Sequence, residues 1–373
     1  MADRSPPPIS VAAPLLDGNE RKYVLECLDT TWISSGGRFI PLFEQAIAQV
    51  SRSRFGVATN NGTTALHLAL VALGIGAGDE VIVPTLTYIA SANAVRYCGA
   101  TPVFVDCEPE CFNLDPAQLE QKITSRTKAI MPVHLYGHPV DMDPVLDVAR
   151  RHGLKVIVDA AEALGAAYKG QPVGSLGDCA TFSFFGNKVI TTGEGGMVVT
   201  DDEALDKRMR FLRGQGMDPG RRYWHPEIGY NYRMTNIAAA IGLGQAERLD
   251  HHLAARRRVA AWYNDAFAPA SNFIIRPVEK PWARHAYWMY TVSLGDSVRR
   301  PRDEIMKMLA AKGIETRPVF YPVHQMPPYS DAAGPFPVAD RVSARGINLP
   351  THALLTQGDV ERVAEALIES ARH

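Results

Sequence analysis

Between residues 50 and 202 the chain repeats one theme: a short apolar run rich in β-branched residues, then a stretch with helical spacing. The strand candidates are RFGVAT, DEVIVPT, TPVFVDC, KAIMPVHL, LKVIVDA, CATFSFF and GGMVVT. Among the intervening stretches, TTALHLALVALG sets Leu66, Ala69, Leu70 and Leu73 on one helical face. DPVLDVARRHG closes on basic residues and a glycine, as a helix C-terminus does. Strand and helix in alternation predict an α/β fold whose mostly parallel, seven-stranded sheet is covered on both faces. In such sheets ligands gather at the carboxyl ends of the strands, so chemistry is sought there.

The style changes after GYNYRMTNIAAAIGLGQAERLDHHLAARRRVAAWYNDAF, a helical stretch that reads as a connector. Beyond it HAYWMYTVSL, RDEIMKMLAAKG, IETRPVF and GDVERVAEALIES predict a small α+β domain. A chain of 373 residues exceeds what one core usually supports. The expected division is a large domain over 1–248, N-terminal segment included, and a small one over 249–373. The run Arg256–Arg258 reads as a solvated helix face.

The net charge of −1, with no basic or acidic half, argues against nucleic acid or an anionic membrane as a main partner. MADRSPPPIS has no apolar core of a signal peptide, and no run is long enough to span a bilayer. Five scattered cysteines argue against a disulfide framework and for a reducing cytoplasm. CEPEC has no second pair, so Cys107 and Cys111 read as ordinary thiols.

GIGAG, Gly74 to Gly78, resembles a dinucleotide-binding turn but follows a helix and precedes a strand, the reverse of the required order. It reads as a loop. VATNNGTTALHLAL has the right order, with a helix expected to open at Thr63–Thr64 and its free N–H groups available to a phosphate. On its own that stretch is better explained as a plain threonine cap. KVIVDAAEALG ends a strand on Asp159, with Glu162 following. PTLTYIASANAV puts Tyr88 just past another strand, where its ring is either core or a platform for a flat ligand. His134 and His138 are four apart, but Gly137 and Pro139 place them in a loop, and no metal is expected. Lys188 follows the run CATFSFF, and a lysine is seldom buried without a partner.

The combination decides. A phosphate seat, an aromatic platform, a strand-end acid and a strand-end lysine on one sheet edge are what pyridoxal phosphate requires. The lysine holds its aldehyde as a Schiff base, and the acid pairs with the ring nitrogen so that the ring can draw off electrons. Burial and cationic neighbours lower a lysine's proton affinity, leaving a neutral amine able to react and to shuttle protons.

With DGNERKYVLECLDTTWISSGGRF, NNGTTALHLAL, DAAEALGA, FSFFGNKVITTGEGG, GYNYRMTNI, RPVFYPVHQMPPY and INLPTH, nearly the whole chain resembles the DegT-family sugar-nucleotide aminotransferases, of fold type I among pyridoxal phosphate enzymes. The resemblance makes Lys188 the Schiff-base lysine and Asp159 the partner of the pyridine nitrogen. It sets Glu162, where many relatives carry glutamine, beside the ring hydroxyl. Gly62, Thr63 and Ser183 would bind the phosphate and Tyr88 would stack on the ring. Asn231 would reach the phosphate from a neighbouring subunit, which implies a homodimer with shared sites. The implied reaction moves an amino group from L-glutamate to C4 of a nucleotide-linked 4-keto-6-deoxy sugar, with GDP-4-keto-6-deoxy-D-mannose the expected acceptor. Pyridoxamine phosphate would be the intermediate form and the kinetics ping-pong. The product would feed lipopolysaccharide O-antigen synthesis. A dTDP or UDP sugar with its ketone at C3 or C4 is the nearest alternative. A sugar-nucleotide dehydratase on the same fold is another, although that subgroup replaces the lysine with histidine. Arg317 and His324, in a loop rich in arginine, histidine and aromatics, are candidates for substrate contact.

Overall fold

The computed structural model describes residues 7–332 and 334–372, so most of the leader expectation, on Met1–Ser10, lies outside the described residues. All seven strand candidates form one sheet, in the order Phe55–Thr59, Gly196–Thr200, Cys179–Ser183, Lys155–Asp159, Thr127–Ile130, Glu80–Pro84, Thr101–Val105. Gly196–Thr200 alone runs against its neighbours; the other six strands are co-directional. The sheet is therefore mostly parallel. Its strands are near-continuously apolar because both faces are covered, and Val81, Ile82, Val83, Ile157 and Val158 have no exposed surface.

The helix Gly62–Ala72 packs across Cys179–Ser183 and Gly196–Thr200, which brings its N-terminus beside Ser183. It opens one residue before the expected Thr63, because Asn61 is the cap. The Asn61 side chain accepts the Thr64 N–H at 2.9 Å, and the Thr64 hydroxyl accepts the Asn61 N–H at 3.3 Å. A cap of this kind is worth about 1 kcal/mol. The helix Met142–His152 ends, as its glycine predicts, on a left-handed Gly153 at φ 65°. GIGAG is a loop between helix and strand.

The long connector is two helices, Asn236–Ala246 and Leu249–Phe267, with Gly229–Met234 extended before them. Thr235 begins the first by accepting the Ala238 N–H at 3.2 Å. A second apolar cluster joins the helices Leu249–Phe267, Arg302–Ala311 and Gln357–Arg372 to a four-stranded antiparallel sheet, Ile274–Ile275, Tyr290–Leu294, Gly346–Leu349, Arg317–Pro318. Ile9 also packs there, through a bridge to Ile314, whereas Val319, Val323, Tyr329 and Phe336 pack into the first cluster. The Arg256–Arg258 run is not the solvated face expected of it. Arg258 is exposed and Arg257 pairs with Glu279 at 2.8 Å, but Arg256 is only 4% exposed.

Candidate active site

A cavity of about 530 Å³ opens at the carboxyl edge of the sheet, and Gly62, Thr63, Tyr88, Asp159, Glu162, Ser183, Lys188 and Arg317 all line it. They arrive from several strand ends and turns: Gly62 and Thr63 after one strand, Asp159 and Glu162 from a second, Ser183 and Lys188 from a third, with Tyr88 and Arg317 from two more.

At one end lies the helix terminus. Asn61 takes the Thr64 N–H and the Ala65 N–H closes on the Asn61 carbonyl, so the first-turn donors left to the cavity are those of Gly62 and Thr63. Two free N–H groups at a positive helix end, with the Thr63 and Ser183 hydroxyls alongside, make an anion seat. Glycine is needed at 62 because a Cβ there would meet the Ser183 Cβ at 2.9 Å.

At the floor lies the acid. Asp159 is the last residue of its strand and is buried; it accepts the Ser91 hydroxyl at 2.7 Å and the Ala161 N–H at 3.1 Å. Burial holds its carboxyl above the usual range, against those two donors and the Lys188 charge. A cation facing it would favour the carboxylate.

Lys188 is not on the strand. It sits in a loop that leaves Ser183 and folds back through a bridge between Phe185 and Gly193. The Thr191 hydroxyl donates to the Phe184 carbonyl at 3.0 Å and the Trp288 indole N–H donates to the Asn187 carbonyl at 2.8 Å, fixing the loop on both sides. The Nζ lies 3.9 Å from Glu162 Oε1 and 3.8 Å from the centroid of the Trp288 ring. Burial pushes the amine down from the ordinary lysine value, and burial pushes the Glu162 carboxyl up; each opposes the other's shift. Glu162 is held from behind by the Tyr136 N–H at 2.7 Å.

Trp288 is a wall of the site that sequence reasoning missed, since HAYWMYTVSL read only as part of the small α+β domain. The strand starts at Tyr290, and the preceding residues carry the indole into the cavity. Asn187 also lines it, and its buried Oδ1 has no protein partner among the described residues. Tyr88 stands at the mouth, 57% exposed, its ring 5.6 Å from that of Phe320.

Four residues singled out in the sequence lie elsewhere. His324 does not line the cavity. Its Nδ1 is 2.7 Å from the Thr85 hydroxyl and its Nε2 is 3.1 Å from Asp340, so both ring nitrogens are engaged by the protein. His134 and His138 are buried in the loop predicted for them, His134 accepting the Val140 N–H and His138 lying 2.7 Å from the Pro139 carbonyl. Asn231 is exposed on the segment Gly214–Arg233 and does not line the cavity of its own chain.

The cavity fits pyridoxal phosphate on its own terms: an anion seat, a buried acid lacking a cation, a buried amine and an unfilled polar atom share one chamber. The sequence profile of the DegT/DnrJ/EryC1/StrS aminotransferase family matches residues 14–368. The chain belongs to this family. It is 64% identical over 362 residues to GDP-perosamine synthase of Caulobacter vibrioides, covering 97% of this chain and 98% of that one. The GDP-perosamine synthase of Escherichia coli O157:H7 is 51% identical with the same coverage. Among solved structures, DesV of S. venezuelae in complex with a ketimine intermediate superposes with a TM-score of 0.91 at 36% identity, covering 99% of this chain and 100% of that one. The putative sugar aminotransferase Spr1654 of Streptococcus pneumoniae in its PLP form gives 0.92 at 29% identity, over 98% and 99%. Members of the family use pyridoxal phosphate, and this chain is a sugar aminotransferase of that kind. Sequence reasoning reached the same cofactor from Lys188, Asp159, Tyr88 and the turn before Gly62.

Proposed function

We propose that the chain transfers the amino group of L-glutamate to C4 of a GDP-linked 4-keto-6-deoxy sugar, GDP-4-keto-6-deoxy-D-mannose, to give GDP-perosamine. The observation that carries this reading is 64% identity, over nearly the full length of both chains, to a protein named for that product.

Gly62, Thr63 and Ser183 would hold the cofactor's phosphate, Asp159 would face its ring nitrogen, Glu162 would lie beside its hydroxyl and Tyr88 would cover one face. Bound there, pyridoxal phosphate supplies the carbonyl that carries the amino group and a ring that stabilises negative charge. The chain's own part is proton handling and exclusion of water. Lys188 Nζ takes the α-proton of glutamate and, in the return half-reaction, delivers a proton to C4 of the sugar. Its burial favours the neutral form needed for the first task, and Glu162 at 3.9 Å steadies the protonated form needed for the second. Arg317, at the cavity and 3.7 Å from Glu315, is placed to meet an anionic substrate; His324 contacts Thr85 and Asp340 instead.

The working unit in this reading is a homodimer. Tyr223 and Ile228 are 76% and 90% exposed on the segment that carries Asn231, an unusual amount of apolar surface for a monomer. Five free cysteines suit a cytoplasmic setting. The test is a panel of GDP-, dTDP- and UDP-linked keto sugars with glutamate, followed by mass spectrometry. Conversion of ketone to amine is expected with the GDP-4-keto-6-deoxymannose; conversion only with a dTDP or UDP sugar refutes the acceptor.

A further inference from the structure

Arg256 is the most deeply buried guanidinium beside the site, on the inner face of the helix Leu249–Phe267. Its partners are three main-chain carbonyls: Nη1 donates to Trp288 at 2.9 Å and to Thr351 at 2.7 Å, and Nη2 donates to Lys188 at 3.1 Å. No carboxylate lies within ion-pair distance of it among the described residues. A buried arginine normally finds a carboxylate, since carbonyl dipoles offset only part of the desolvation of a full charge. Burial pushes Arg256 down to about 10, which leaves it charged near neutral pH. A guanidinium held without a counter-ion next to the reactive lysine calls for an explanation other than stability.

We propose that Arg256 is a positioning residue for Lys188: it ties the lysine's carbonyl to the second apolar cluster and sets a standing positive charge behind the amine. The tether fixes where Nζ can reach. The charge repels a second one, so Lys188 spends more of its time as the neutral amine that attacks and abstracts protons.

The groups around Nζ pull in opposite directions. Glu162 and Asp159 favour its charged form, whereas burial and Arg256 oppose it. The Trp288 face also attracts the ammonium. Glu194 and Arg317 line the same cavity, while His252 and His352 flank Arg256 and burial keeps both of them neutral. Burial is the largest of these influences; Arg256 is the smallest and adds to it against the two buried carboxyls. Sequence reading missed it because the arginine run has the spacing of a solvated face, and only packing shows that its first member points inward.

This inference rests on Lys188 being the reactive amine, but its test reads proton affinity and not turnover. The cofactor-free, full-length chain is labelled with trace acetic anhydride across a pH series, and acetylation of Lys188 is quantified by peptide mass spectrometry. Wild type is compared with Arg256→Gln, which keeps donors without the charge, and Arg256→Lys, which keeps the charge with fewer bonds. The wild-type midpoint should lie well below the ordinary lysine value of about 10.4. Arg256→Gln should raise it by about one unit, a roughly tenfold loss of labelling at fixed pH below the midpoint. Arg256→Lys should restore the midpoint to near wild type while lowering thermal stability. An unchanged midpoint in a folded Arg256→Gln chain overturns the proposal, and so does a wild-type midpoint at the ordinary value. If Arg256→Gln does not fold, Arg256→Met takes its place; if neither folds, Arg256→Lys decides, since a midpoint raised in that charge-retaining variant overturns the proposal. Either negative result leaves the amino-transfer reading standing, because that reading is judged on products.

Discussion

The loop that carries Lys188 and the segment Gly214–Arg233 differ in how far a single chain completes them. Around Lys188, Trp288 and Phe184 are buried, Asp159 has two donors, and Glu162 is held by a main-chain N–H. The segment is anchored at its end, where Thr59 bridges Arg233 and the Asn60 N–H donates to the Tyr232 carbonyl at 2.9 Å. Its middle is not covered, with Tyr223, Trp224 and Ile228 all exposed. The half around Lys188 is thus packed and finished within one chain, whereas the half formed by the segment leaves apolar surface exposed.

The sharpest way to break this comparison is at the finished half. Lys188→Ala should fold normally, because the loop is held by Thr191, Trp288 and Arg256 through main-chain atoms. Its rate of amino transfer should fall by at least about 10⁴-fold, since base and covalent anchor are lost together. Multiple turnover close to the wild-type rate would disprove the role.

The unfinished half is tested by mixing. Asn231→Ala alone should be strongly impaired if Asn231 serves the neighbour's site. Mixed with Lys188→Ala under subunit exchange, it should recover about a quarter of wild-type activity, as hybrids carry one intact site. No recovery, with exchange shown independently, would return Asn231 to its own chain.

Gly62→Ala is a smaller perturbation of the anion seat. The new methyl would crowd Ser183 at 2.9 Å, so cofactor affinity should drop about tenfold, with about 1–2 kcal/mol of stability lost through crowding. Equilibrium titration of the cofactor absorbance and a thermal melt measure the two effects. His324→Ala should move least. Its loss of contacts to Thr85 and Asp340 should cost about 1 kcal/mol in a denaturant titration, while KM for the sugar stays within about twofold. A tenfold rise in KM would reinstate His324 as a substrate contact.

What the sequence made legible follows from which interactions are local. The strands were readable because parallel strands buried on both faces are apolar along their whole length, and all seven were found in place. Asp159, Thr63 and Tyr88 were readable because a strand end followed by a turn puts a side chain at the sheet edge; Gly62 and Ser183 came from the family resemblance alone. Asn61 as the cap was hidden by two threonines that satisfy the same rule. Trp288, Arg256 and the true setting of His324 depend on contacts across about 70 to 240 residues of chain, which no local spacing reveals. In the sequence an inward arginine and an outward one look alike.

The central claim is that this site transfers an amino group to a nucleotide sugar. The direct measurement is the fate of isotopically labelled nitrogen from glutamate, followed by mass spectrometry with GDP-4-keto-6-deoxymannose as acceptor. The label is expected in the sugar product in step with the 2-oxoglutarate released, with no free ammonia. Labelled ammonia accompanied by a sugar without nitrogen would contradict the account.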